Sequence, residues 1–201
     1  MIAIIDYGVG NLMNVYNSLK RLDMDAVITG DKKVIDNSSA IILPGVGAFK
    51  DAMDHLVDHD LVETVKNNAS KGKYLLGICL GMQLLFERSY EDGNWEGLGL
   101  LKGEVVRFGQ GLKVPHMGWN ELHINKPHPL INEIKDGEYV YFVHSYHLDP
   151  KYFDDVLLYT DYGVKVPAVV CKDNVMGMQF HPEKSSTTGI KLLQNFKELI
   201  K

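Results

Sequence analysis

Cysteine is scarce in this chain: Cys79 and Cys171 are the only two among 201 residues. Two thiols are too few for a disulfide framework, so a reducing compartment, the cytoplasm, is the expected setting. No apolar run approaches the roughly 20 residues that span a bilayer as a helix. Met1-Ile2-Ala3-Ile4-Ile5-Asp6 opens as a strand pattern, without the basic segment and cleavage site of a secretion signal. No membrane association is therefore expected. Clustered basic residues are missing too: 21 Lys and Arg stand against 26 Asp and Glu, for a formal charge of -5. A phosphate backbone requires grouped cations, which argues against nucleic acid as a partner. Repeats, low-complexity stretches and linkers are also lacking. What is present is an ordinary globular composition, 45% hydrophobic and 23% charged. The length suits a single domain over residues 1–201.

Short apolar runs alternate with helical patterns. Strands are expected at residues 2–5, 26–29, 40–43 and 74–78. Leu12, Val15, Tyr16, Leu19 and Leu22 carry the spacing of an amphipathic helix. Residues 49–69 read as a helix interrupted at Asp58-His59-Asp60, and residues 80–86 as another. This order implies parallel strands covered on both faces by helices. Beyond Arg88 come short strand candidates at 104–107, 139–144, 156–159, 166–172 and 175–179. Turns such as Lys172-Asp173-Asn174 separate them, which predicts antiparallel hairpins laid onto the sheet. A last helix is expected over 188–200, with Ile190, Leu193, Phe196 and Ile200 on one side and Ser186, Thr187 or Thr188 as its cap. The expected class is α/β: three layers, a mostly parallel central sheet with helices on both faces, and an antiparallel hairpin extension.

The most informative segment is Leu75-Leu76-Gly77-Ile78-Cys79-Leu80-Gly81-Met82-Gln83. A strand runs through Gly-x-Cys-x-Gly into a helix, the layout of a nucleophile elbow with cysteine in place of serine. A tight strand-to-helix turn crowds the backbone, so Gly77 and Gly81 remove side chains that would clash. Cys79 is thereby lifted to the C-terminal edge of the sheet, where open α/β folds place ligands. The helix N-terminus beside it favours an anionic sulfur, and the Leu80 N–H is placed to donate to an oxyanion. A buried structural cysteine is the plain alternative, and Cys171, after Val169-Val170 without flanking glycines, fits that description.

A thiolate needs a base that is near in space and not in sequence. Among the 8 histidines, His181 in Met178-Gln179-Phe180-His181-Pro182-Glu183 follows a strand candidate, and Pro182 stops that strand. Glu183 can accept from the second ring nitrogen and fix the tautomer, the third-member role in a Cys-His-acid triad. Such a pair by itself is more often a surface turn. His144 and His147 have a spacing compatible with a metal, but no second cluster completes a site, and no metal or cofactor is expected. His55, His59, His116, His123 and His128 read as solvated or capping residues, with His116 near a functional surface. Pro44-Gly45-Val46-Gly47 follows a strand at the same sheet edge and either aims a backbone N–H at an oxyanion or is a plain turn. Asp6-Tyr7-Gly8-Val9-Gly10-Asn11 lacks the third glycine of a dinucleotide fingerprint and the Lys-Ser/Thr of a P-loop, so it is taken as a contact loop.

Pro-Gly-x-Gly, then Gly-Ile-Cys79-Leu-Gly-x-Gln83, then Gln-Phe-His181-Pro-Glu183 together resemble the class I (triad-type) glutamine amidotransferases, a flavodoxin-like family, over nearly the whole chain. Within it, Asp6–Asn11, Pro44–Gly47, His116-Met117-Gly118-Trp119-Asn120 and Tyr141-Phe142-Val143-His144-Ser145-Tyr146 resemble the glutaminase subunits of imidazole glycerol phosphate synthases of histidine biosynthesis. The resemblance implies that Cys79 attacks the glutamine carboxamide, His181 transfers protons and Glu183 orients it. Leu80 N–H and, after a peptide flip, Val46 N–H would hold the oxyanion. Gly47, Gln83, His144, Ser145 and Tyr146 match positions that cradle glutamine. Asn11, Asn14, Trp119, Asn120, Tyr141 and Lys184 match the face toward a (β/α)8 cyclase subunit, which would receive the ammonia as partner in a heterodimer. Three alternatives stay open at this point: a paralogous ammonia-using synthase, a stand-alone cysteine hydrolase and a non-catalytic module.

Overall fold

A computed structural model describes residues 1–149 and 152–201. The first half alternates as expected: β1 Ile2–Ile5, α1 Leu12–Arg21, β2 Ala26–Thr29, α2 Lys32–Asn37, β3 Ala40–Gly45, α3 Phe49–Asp58, α4 Val62–Ser70, β4 Tyr74–Cys79 and α5 Leu80–Leu84. The second half is strand-rich: β5 Phe86–Ser89, β6 Trp95–Glu96, β7 Leu101–Arg107, β8 His116–Glu121, β9 His123–Ile124, β10 Tyr139–His144, β11 Tyr146–Leu148, β12 Val156–Asp161, β13 Lys165–Lys172 and β14 Val175–Met178. It closes with α6, Ser186–Leu199. The main sheet has the order β2-β1-β3-β4-β14-β13-β12-β9. Its first five strands are parallel, and β13, β12 and β9 extend it antiparallel. This is an α/β fold with a large, mostly parallel sheet.

Alternation across the strands builds two cores. Ile2, Ile4, Ala40, Ile42, Leu76 and Ile78 face α1 and α6, packing with Val15, Leu19, Leu192 and Phe196. Ala3, Ile5, Ile41, Leu43 and Leu75 face the opposite layer, with Ile35, Phe49, Leu56 and Val65. A strand buried on both sides has no polar face, which is why these runs are unbroken in the sequence.

The structure departs from the sequence reading in several places, and strands β5, β6, β8, β9 and β11 were not expected. The helix α2 was hidden by its brevity; Asp31 caps it by accepting from Lys33 N at 2.7 Å and Val34 N at 3.3 Å. The helix expected over 80–86 stops at Leu84, because Phe86 enters a parallel pairing with β7. Strands β7 and β10 do not join the main sheet: β7 lies in a four-stranded sheet, β11-β7-β5-β6, and β10 pairs with β8 alone. None of Ser186, Thr187 and Thr188 caps α6. Ser186 sits at φ 51°, Thr188 donates to Glu138 Oε2 at 2.8 Å, and Ser185 before them donates to His181 O at 2.6 Å.

Lys172-Asp173-Asn174 does turn β13 into β14, with Asp173 at φ 54°. Asn174 Nδ2 donates to Ala69 O at 2.8 Å and Lys73 O at 2.7 Å, tying this hairpin to the end of α4. Replacing Asn174 with Ala strands both carbonyls and is expected to lower the unfolding free energy by about 1–3 kcal/mol, measurable by urea titration.

Candidate active site

Strand register brings the site together. In the parallel pairing of β3 with β4, Gly45 lies level with Cys79, and in that of β14 with β4, Met178 lies level with Ile78. The ends of three adjacent strands therefore deliver the Pro44–Gly47 loop, Cys79 and His181 to one sheet edge. Cys79 sits at φ 56°, ψ -117°, a strained conformation for a residue with a side chain. Close approach of the backbones holds it there. A Cβ on Gly81 would stand 1.8 Å from Leu43 O, and one on Gly77 would stand 2.6 Å from Gly81 O. Tyr7, fully buried, donates its hydroxyl to Pro44 O at 2.7 Å and so fastens the root of the loop. Burial, with Cys79 close by, pushes its own pKa well up, so it keeps that proton. Beyond it the loop is open: Val46 is 43% exposed, and Gly47 adopts φ 93° with free space around it.

His181 Nδ1 lies 2.8 Å from Glu183 Oε1, and both side chains are buried. A carboxylate accepts, so Nδ1 carries the proton and Nε2 is left for Cys79. Burial pulls the His181 pKa down, but hydrogen bonds and charge from Cys79 and Glu183 outweigh it and raise it from 6.5 to about 10. The backbone is clamped as well: His181 N donates to Tyr141 O at 3.2 Å, and Ser185 Oγ bridges His181 O and Tyr141 N.

Cys79 and His181 face a cavity of about 340 Å³. Val46, Gly47, Leu80, Gln83, His144, Ser145 and Tyr146 line it, so every residue singled out for the oxyanion or the substrate borders one space. Glu91, Pro115 and Val143 line it too, unforeseen. Glu91 is the one carboxylate among the lining residues; Phe49 N donates to it at 2.7 Å, and burial raises its pKa. In sequence, Tyr90-Glu91-Asp92 reads as a solvated turn, and nothing local marks it. His116, read as solvated or capping, is only 2% exposed. His128 does cap, accepting from Leu130 N at 3.0 Å. Cys171 is buried and its thiol is pushed up to about 11 by that burial.

The residues expected at a partner face differ in exposure. Trp119 is 52% exposed and meets Tyr141 edge-on at 6.1 Å, directly across the β8–β10 ladder. Asn14 and Lys184 are exposed, while Asn11 and Asn120 are half-buried. Asn11 shares a small crevice with Val46, His181 and Glu183. No helix among the described residues is long and apolar enough to cross a membrane.

The model of the glutamine amidotransferase class-I family matches residues 3–199, and the chain belongs to that family. Two full-length relatives sharpen the placement. The imidazole glycerol phosphate synthase subunit HisH of Caldanaerobacter subterraneus is 54% identical, covering 100% of this chain and 99% of its own. That of Oceanobacillus iheyensis is 49% identical with both chains fully covered. Among solved structures, a glutamine amidotransferase superposes with a TM-score of 0.78 at 21% identity, over 100% of this chain and 99% of that one. PurLQS from Thermotoga maritima does so with a TM-score of 0.75 at 24% identity, over 100% and 98%. At those identities the likeness shows the fold.

Two outcomes are expected. Gly81→Ala has no room beside Leu43 O and destabilises the protein by more than about 3 kcal/mol, read as loss of folded protein or a lowered denaturation midpoint. Stability should also peak near pH 6.5. Burial lowers the pKa of His116 to about 4 and of His144 to about 3, so the unfolded chain binds more protons below 6.5 and stability falls with acid, by up to about 1.4 kcal/mol per pH unit per ring. His181, raised to about 10, keeps a proton that the unfolded chain releases, so its contribution is lost as pH rises from 6.5 through 10. Urea titrations at successive pH values test this; a flat profile between pH 5 and 9 contradicts it.

Proposed function

We propose that this chain is the glutaminase subunit of an imidazole glycerol phosphate synthase, one domain over residues 1–201 that hydrolyses glutamine to glutamate and ammonia. The observation that carries the reading is Cys79 and His181 facing one cavity of a size suited to a small polar ligand, with Glu183 behind the imidazole at 2.8 Å from Nδ1. The names of its close relatives support the finer assignment. The thiol of Cys79 gives its proton to His181 Nε2 as its sulfur attacks the carboxamide carbon, and the C=O electrons move onto oxygen. Leu80 N–H, and Val46 N–H once its peptide turns, donate to that oxyanion. His181 Nε2 delivers its proton to the departing nitrogen, and the C–N bond breaks to give ammonia and a glutamyl thioester. His181 then takes a proton from water, which attacks the thioester, and C–S cleavage frees glutamate and the thiol. Glu183 holds the ring in one tautomer throughout.

In the cavity, His144, Ser145 and Tyr146 form one wall against glutamine and Gln83 another. Glu91 supplies a negative charge suited to the α-ammonium group. The ammonia goes to a (β/α)8 cyclase subunit bound over the rim. Met117 and Trp119, 61% and 52% exposed on β8, and Met13 on α1 are large apolar side chains left open to solvent there, as at interface cores. The cytoplasm is the setting of this reaction.

Cys79→Ala is expected to abolish ammonia release from glutamine, since no thioester forms, while the fold is kept. With Val46 and Gly47 exposed at the tip of the loop and able to turn, the lone chain is expected to be slow, and adding the cyclase subunit with its nucleotide substrate to raise the rate by ~10²–10³, the worth of one oxyanion donor. Equal rates with and without the partner would remove the loop from the proposal.

A further inference from the structure

The carbonyl of Tyr146 is where two chains of hydrogen bonds end. His144 Nδ1 lies 2.9 Å from it and Gln83 Nε2 2.8 Å. A carbonyl only accepts, so both groups donate. That single fact fixes every proton further along. With its hydrogen on Nδ1, neutral His144 accepts at Nε2, and His116 Nδ1, 3.0 Å away, must be the donor. His116 Nε2 is then the acceptor, and Asn120 Nδ2 faces it at 3.3 Å. Asn120 is held in turn, with Nδ2 also 3.1 Å from Asp161 O and Oδ1 accepting from Glu121 N at 2.9 Å. On the other branch the second N–H of Gln83 goes to Gln179 Oε1 at 2.9 Å. Both rings are buried, and burial keeps them neutral, the only state in which this sequence of donors and acceptors closes.

We propose that His116 is a positioning residue for glutamine: carried on β8 and oriented by Asn120, it sets His144 and, through the Tyr146 carbonyl that His144 shares with Gln83, the pocket wall of residues 144–146. The inference rests on the glutaminase reading for what the wall touches. The competing explanation is that His116 merely fills space, stacked between Phe142 at 4.7 Å and Tyr162 at 4.0 Å. The relay accounts for more than packing does, because stacking specifies no nitrogen, whereas each ring nitrogen here has a partner of the required kind. The wall binds substrate while the sulfur and His181 act on it, so disturbing His116 weakens binding more than chemistry.

The test uses the chain in complex with its cyclase subunit and that subunit's ligand. His116→Phe keeps a stacking ring and leaves His144 Nε2 without a donor. It is expected to raise the KM for glutamine about tenfold with kcat within about twofold. His116→Asn places an N–H where Nδ1 stood and should recover most of the lost affinity. An unchanged KM in His116→Phe, or a fall in kcat alone, overturns the proposal. So does an Asn variant no better than the Phe variant. Nitrogen-15 NMR of the wild-type chain gives a readout independent of turnover: His116 and His144 should both be neutral and carry hydrogen on Nδ1 at pH 7. A charged ring, or hydrogen on Nε2 in either, overturns the relay even if the variants fail to fold. Absence of ammonia release in the wild-type complex would instead strike the glutaminase reading, with the NMR result still deciding the relay.

Discussion

The contact between the Gly81 backbone and the Leu43 carbonyl sets the rest of this structure. It lets a five-residue helix start directly off β4, inside the space a side chain would fill. With α5 seated there, the turn must be tight, and the residue within it is forced to positive φ. Glycine at Cys79 would relax that strain but remove the sulfur. The strain, of order 1–3 kcal/mol, is held by two cores packed on opposite faces of the strands that flank the turn.

Around that fixed point, mobility is graded. His181 N donates to Tyr141 O on β10, the Ser185 hydroxyl donates to His181 O, and Tyr7 anchors Pro44. Two residues later the chain opens to solvent: Val46 is 43% exposed, and a Cβ on Gly47 would meet nothing within 4 Å. Rigid groups thus surround the sulfur on the side of the imidazole, while the one segment with freedom to rotate lies on the side facing solvent.

Much of this was legible in the sequence, for identifiable reasons. The buried parallel strands β1 to β4 announce themselves as unbroken apolar runs, and the flanking glycines of Cys79 mark close backbone approach. Past Arg88, β12, β13 and β14 were found and do join the main sheet, β7 and β10 were found but belong to separate sheets, and β6, β8, β9 and β11 were missed. A strand's pattern states that it pairs and not with what, and two- or three-residue strands such as β6, β9 and β11 carry no pattern. Glu91 was invisible: its place in the lining depends on Phe49 N, 42 residues away in sequence, and on the fold that closes the cavity. His116 was misjudged because a histidine flanked by Pro115 and the exposed Met117 looks solvated, and only the strand pairing with His144 turns it inward.

The place of β14 has a temporal meaning. It is the last strand to leave the ribosome, yet it is inserted between β4 and β13, beside the strand that bears the sulfur. Before β14 pairs with β4, the elbow has no neighbour on that flank and His181 is not held beside it. Closing the sheet on that flank and holding His181 beside the Cys79 elbow are thus one event, carried by the same strand.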